Sequence, residues 1–204
     1  MRNIKAVIFD LGGVVIQWDD DIVFRKAAAI SGIPFAKLKK AAENEMKAFY
    51  KGKMSESGFW RRVLDKCGVK DHVLLRLDKL WLTEYRKNAR LNREVVKMIA
   101  SLRKKYKIGV ISNLAVVHDV INRKRSYYRH IRHKVLSYQV GMAKPEPGIY
   151  RVAAKRLRCA PRECLFIDDK LINARGARKA GMNAVHYTGI TKLRKDLKRL
   201  GIAA

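Results

Sequence analysis

The segment Ala6-Val7-Ile8-Phe9-Asp10-Leu11-Gly12-Gly13-Val14-Val15 constrains this chain more than any other. A run of strand formers, apolar on both faces, ends in one carboxylate and two glycines. Such a run suits a central parallel strand covered by helices on both sides. In open parallel sheets, ligands sit just beyond the carboxyl ends of the strands. Asp10 is therefore aimed at a reaction site, on a backbone that Gly12 and Gly13 free to turn sharply. The segment alone leaves a second reading open, in which Asp10 ends a strand and opens a turn.

Four further apolar runs read as strands: Ile108–Ser112, Val135–Val140, Cys164–Asp168 and Ala184–Tyr187. Helical patterns separate them. Val95, Val96, Ile99 and Leu102 share one face, as do Tyr150, Ala153, Ala154 and Leu157. Ile190, Leu193, Leu197 and Leu200 make a last amphipathic helix. Strands alternating with helices predict a parallel sheet with right-handed crossovers. From Trp18 to Arg90 only helical spacing is found. Gly32 can end one helix, Pro34 start the next, and Ser55 cap a third. Val73, Leu77, Leu80 and Trp81 form another stripe, giving four helices in all. The expected fold is α/β: a three-layer doubly wound parallel sheet, Rossmann-like, from 1–17 and 91–204, with a helical bundle inserted over 18–90.

Polar groups stand at the strand ends. Asp10 ends the first and Ser112-Asn113 the second. Lys144-Pro145 follows the third, and Asp168-Asp169 ends the fourth, with Asn173 one helical turn on. A parallel sheet gathers all of them on one edge. Each has a plainer reading. Ser112 and Asn113 can cap a helix, and Lys144 can be one surface lysine among many. Two adjacent carboxylates are costly without a counter-ion, which a metal explains more fully than a cap and a salt bridge.

This order of motifs, with a helical insert after the first, resembles the haloacid dehalogenase superfamily, in particular its phosphatase-type members with a helical cap. The resemblance covers essentially the whole chain. It implies that Asp10 is a nucleophile forming an aspartyl-phosphate. It implies a Mg²⁺ held by Asp10, the backbone carbonyl of Gly12, and Asp168 or Asp169, since oxygen ligands suit that ion. Ser112 and Asn113 would donate hydrogen bonds to the phosphoryl oxygens. Lys144 would supply positive charge and keep Asp10 ionised. Asn173 would orient the loop, Lys144 or bound substrate. The expected activity is Mg²⁺-dependent hydrolysis of a small phosphorylated metabolite.

One position departs from the pattern. Most phosphatases of the superfamily carry a second Asp two residues after the nucleophile, as acid and base. Here it is Gly12. A branch with Gly at this place includes sugar-phosphate phosphatases, a glucose-1-phosphate phosphatase among them. There the hemiacetal oxygen leaves with less help from an acid. Asp19, Asp20 or water could assist, although helix capping suits both carboxylates better. A metal-independent 2-haloacid dehalogenase also lacks the second Asp, but has no use for the Asp168-Asp169 pair.

Charge raises a third possibility, a catalytically weakened protein that binds nucleic acid. Lys plus Arg number 46 against 18 Asp plus Glu, a formal +28. Such a field attracts polyanions. Because the cations are spread along the whole chain, a solvated basic surface is favoured over a dedicated binding stripe. Segment 122–134 mixes cations with Tyr127, Tyr128 and Ile131. It reads either as a nucleic-acid surface or as a basic loop whose apolar residues pack on the sheet. His118, His130, His133 and His186 lack the spacing of a transition-metal site. Trp18, Trp60 and Trp81 are expected inside the insert, with Trp18 near enough to the junction to touch substrate. Three cysteines without metal spacing, no apolar run long enough for a bilayer and no visible signal peptide point to a cytoplasmic protein.

Overall fold

The computed structural model describes residues 3–69, 73–129 and 131–202; His130 lies outside them. The chain opens with β1 (Ala6–Phe9) and β2 (Ile16–Gln17). Five helical segments follow: α1 (Asp21–Ser31), α2 (Phe35–Tyr50), α3 (Glu56–Cys67), α4 (Leu74–Leu77) and α5 (Leu80–Asn88). After β3 (Arg90–Leu91) come α6 (Arg93–Leu102), β4 (Lys107–Ser112), α7 (Val116–Asn122), α8 (Ser126–Arg129) and β5 (His133–Leu136). The remainder is α9 (Ser137–Val140), α10 (Pro147–Leu157), β6 (Cys164–Asp168), α11 (Leu171–Lys179), β7 (Asn183–His186) and α12 (Ile190–Arg199).

Five strands form one parallel sheet in the order β5-β4-β1-β6-β7. β1 is central and wholly buried, as its two-sided apolar run requires. Its alternate residues serve two cores. Val7 and Phe9 face the layer that holds Val95, Ile99, Leu193 and Leu197, from α6 and α12. Ala6 and Ile8 face Ile149, Tyr150, Ala153 and Ala177, from α10 and α11. The sheet with helices on both faces is the expected three-layer α/β fold.

The stretch between β2 and β3 builds a separate apolar core from Phe24, Leu38, Phe49, Phe59, Trp60 and Trp81. Trp60 and Trp81 are fully buried, each contributing about 3 kcal/mol or more of apolar burial. Gly32 ends α1 with φ 73°, Pro34 precedes α2, and the Ser55 hydroxyl accepts from Gly58 N at 3.1 Å to cap α3. β2 and β3 pair antiparallel, Ile16 with Leu91, where the chain leaves the sheet and returns to it.

Two elements differ from expectation. The stripe Val73, Leu77, Leu80, Trp81 is buried throughout, but Lys79 at φ 56° breaks it into α4 and α5. The run Val135–Val140 stays extended only to Leu136. Ser137 then turns it into α9, because its buried hydroxyl donates to Tyr50 O at 2.5 Å and accepts from Leu114 N at 3.0 Å. In the basic segment, Tyr127, Tyr128 and Ile131 are buried. Tyr128 donates to Asp119 at 2.5 Å, so these rings offer no stacking surface.

Candidate active site

The carboxyl ends of β1, β4 and β6 meet the turn after α9 at one edge of the sheet. Lys144 lies at the centre. Its Nζ stands 2.7 Å from Asp10 Oδ2 and 2.6 Å from Asp168 Oδ2. All three side chains are buried. Burial works against the charge on Lys144, but Asp10 and Asp168 together outweigh it and raise its pKa. Burial also pushes Asp10 up to about 7, against the opposing pull of Lys144 and with the help of Asp168. Asp10 Oδ1 accepts from Leu11 N at 2.6 Å.

The two aspartates that end β6 have different partners. Asp168 is fully committed. Its Oδ1 accepts from Lys170 N at 2.8 Å and Asn173 Nδ2 at 3.1 Å, and its Oδ2 takes Lys144. Asp169 Oδ1 is buried and has no hydrogen-bond partner. Burial, then the charge of Asp168, raises the pKa of Asp169. Its backbone carbonyl meets His186 Nε2 at 2.8 Å. Oxygens of Asp10, Asp168 and Asp169 all lie within 4.8 Å of one another. Three carboxylates, two of them sharing one lysine and the third holding an orphaned buried oxygen, fit a hard divalent cation with oxygen ligands.

Other expected residues fall here with altered duties. Ser112 lines the cleft. Asn113, expected on phosphoryl oxygens, lines the cleft and clamps the Lys144 backbone: its Oδ1 accepts from Lys144 N at 2.8 Å and its Nδ2 donates to Lys144 O at 2.9 Å. Asn173, grouped with the substrate ligands, lines the cleft and donates to Asp168 rather than bonding Lys144. A side chain added at Gly12 would meet nothing within 4 Å, so the place of the usual second Asp opens on empty space.

The cleft measures about 880 Å³, and its far wall belongs to the helical insert. Asp20, expected as a helix cap, makes no side-chain cap bond. Its carboxylate accepts from Trp18 Nε1 at 2.7 Å and from Tyr50 O–H at 2.5 Å. Asp19 does accept from a backbone amide, Asp21 N, at 3.0 Å. Trp18, Tyr50, Tyr85 and His118 complete the wall. His118, which lacks the spacing of a metal ligand in the sequence, faces this cleft. Its Nδ1 accepts from Ala115 N at 3.1 Å, while its Nε2 is buried without a hydrogen-bond partner. No spacing in the sequence signals this aromatic wall, which is assembled from four separate elements.

Residues 4–181 match the haloacid dehalogenase-like hydrolase family, and the chain belongs to it. It is a hydrolase of that class. Among curated proteins it is 25% identical to a D-ribitol-5-phosphate phosphatase of Bacteroides thetaiotaomicron, over 95% of this chain and 97% of that one. It is 28% identical to a phosphatase of Mycobacterium tuberculosis, over 98% and 96% of the two chains. A solved haloacid dehalogenase family enzyme from B. thetaiotaomicron superposes with a TM-score of 0.77 at 22% identity, covering 98% of this chain and all of that one. Its wild-type complex with magnesium and inorganic phosphate superposes at 0.67 with 23% identity, covering 89% and 93%. Among the described residues no helix is long and apolar enough to cross a membrane.

Proposed function

We propose that this hydrolase is a Mg²⁺-dependent phosphatase for a small phosphorylated metabolite, a sugar or polyol phosphate in the first instance, acting through an aspartyl-phosphate on Asp10. The observation that carries the proposal is the bridging of Asp10 and Asp168 by one buried ammonium, Lys144, beside the free carboxylate of Asp169. The phosphatase names of the relatives over nearly full length support it.

Asp10, the Gly12 carbonyl and Asp169 would hold the metal. Asp168 is already saturated by Lys144, Lys170 N and Asn173 and serves to fix the lysine. A Mg²⁺ held by these residues would supply positive charge against the anionic phosphoryl group. The Asp10 carboxylate attacks phosphorus, an acyl-phosphate bond forms, and the ester oxygen departs, taking a proton from water or from a group in the cleft. Water then cleaves the acyl phosphate, which releases inorganic phosphate and restores Asp10. Lys144 stays beside Asp10 through both steps and offsets the negative charge gathered there. Ser112 contributes a donor for the phosphoryl oxygens. Residues 18–90 form a cap domain over the core of 1–17 and 91–204. Trp18, Tyr50 and Tyr85 on it exclude water and meet the substrate's organic part.

The test is phosphate release from para-nitrophenyl phosphate and from a panel of sugar and polyol phosphates, with and without Mg²⁺. Asp10→Asn is expected to abolish Mg²⁺-dependent release, and an unchanged rate would sink the mechanism. Chloride release from a 2-haloacid without Mg²⁺ would point instead to a dehalogenase.

A further inference from the structure

The cations are spread along the sequence, but the fold sorts the charges. Carboxylates collect at the cleft, where seven of them, Asp10, Asp20 and Asp169 included, line the walls beside four lysines. The opposite pole, where the strands begin, has the reverse character. Its connections are 103–107, 131–134, 157–163 and 180–183. They contain one carboxylate, Glu163, and that one is paired with Lys5 at 2.6 Å. Lys104, Lys105, Lys107, Arg132, Arg156 and Arg158 are all exposed there.

Contacts hold part of this group together along the edge strand β5. Lys107 Nζ donates to Leu157 O at 3.0 Å and to Arg158 O at 3.4 Å. The Arg156 guanidinium donates to Lys134 O. Burial depresses the His133 pKa, and the charges acting on it most are all cations: Lys107, Arg132, Arg158 and Lys134. Helix dipoles explain only a share of this. A helix C-terminus carries about half a negative charge, yet α6 alone is followed by Arg103, Lys104, Lys105 and Lys107.

We propose that this pole is a docking surface for a nucleic-acid backbone. Phosphate contacts by exposed Lys and Arg suffice for binding without sequence preference. The large exposed apolar side chains among the described residues are Leu75, Val116, Val120, Leu171 and Ile172, and none lies in these connections. The face therefore lacks the apolar anchors of a membrane-inserting surface. Strands rise about 3.3 Å per residue, so four to six residues set the pole roughly 13–20 Å from the cleft. A bound polymer leaves the catalytic entrance open, and the surface is independent of the phosphatase reading.

The experiment is fluorescence anisotropy of the full chain with a mixed-sequence single-stranded RNA of about 20 nucleotides. Affinity should fall with salt at a log–log slope of roughly −3 to −5. The triple variant Lys104→Glu, Lys105→Glu, Arg132→Glu should weaken binding about tenfold or more and flatten the slope by about three. Hydrolysis of para-nitrophenyl phosphate should stay at the parent rate. The neutral set Lys104→Gln, Lys105→Gln, Arg132→Gln should give an intermediate loss, which guards against misfolding of the reversed set. Arg61→Glu, Arg86→Glu, Lys87→Glu on the helical insert changes net charge equally and should keep affinity within about threefold. Equal loss in both reversed triples would mean diffuse attraction and would overturn the proposal. So would no RNA binding at about 150 mM salt, or tighter binding to phosphatidylserine vesicles than to RNA.

Discussion

Gly12 and Gly13 are neighbours with opposite tolerances. A Cβ at Gly13 would fall 2.3 Å from Asp169 Oδ2, and its φ of 78° already disfavours any side chain. This glycine is what lets Asp169 press against the turn after Asp10. Gly12 has an ordinary φ and open space where a side chain would point. Gly12→Asp should therefore fold with an unchanged Tm and restore a proton donor beside the leaving oxygen. General acid catalysis contributes about 10²–10⁴ where it operates fully. Release of phosphate from an alkyl phosphate should rise about tenfold or more, with little change for para-nitrophenyl phosphate, whose leaving group needs no proton. Equal rates for parent and variant on the alkyl ester would show that another group already supplies the proton. The convergence of Asp10, Lys144 and Asp168 was legible in the sequence because strand ends share an edge. The division of labour was not. That Asn113 holds the Lys144 backbone, and Asn173 holds Asp168, depends on side-chain directions across 31 and 5 residues of chain.

At the level of elements, α2 is tied to the start of α10. Lys47 and Lys51 reach Glu146 at 3.1 and 2.7 Å, and Ser137 donates to Tyr50 O at the end of α2. The Lys47 side chain is 71% exposed and that of Glu146 30%, so that pair is worth at most about 1 kcal/mol, while Lys51, 16% exposed, is the more shielded partner. Such a tie holds the helical wall over the cleft and can still release it. Glu146→Ala should raise KM about two- to fivefold, with a smaller change in kcat, and speed amide exchange in the last turn of α2. An unaltered KM would show that the ion pairs do not bias the wall. Helix starts and stops marked by Gly32, Pro34 and Ser55 were readable because local chemistry decides them. The break at Lys79 was not, since Val73, Leu77, Leu80 and Trp81 suit one unbroken helix. Long-range packing decides it: Trp81 N donates to Glu56 Oε1, 25 residues away, at 2.6 Å.

Over the whole molecule, the sheet domain and the helical bundle share one buried titratable group. His118 on α7 sits among Trp18, Tyr50, Trp81 and Tyr85, with ring centroids 4.6–6.4 Å away. Burial drives its pKa down to about 4 against the pull of the Asp20 carboxylate, and the Ala115 N–H that donates to Nδ1 favours the same neutral ring. The folded protein thus keeps this imidazole neutral, while an unfolded chain protonates it below about pH 6.5. Below that pH the unfolded state binds the extra proton, so stability falls with acidity until the folded pKa is reached. One proton is worth 1.36 kcal/mol per pH unit, which makes about 2 kcal/mol between roughly pH 6.5 and 5. Asp10, pushed up to about 7, is protonated in the folded protein over this window and ionised in the unfolded chain, so it works in the opposite direction and the His118 contribution is read as a difference between parent and variant. Urea unfolding at both pH values isolates it: on going from about pH 6.5 to 5, the stability of His118→Gln relative to the parent should rise by about 2 kcal/mol. An unchanged difference would mean that the folded protein protonates His118 as readily as water does. The aromatic wall would then be open to solvent, and the seal between bundle and sheet that this geometry describes would not exist.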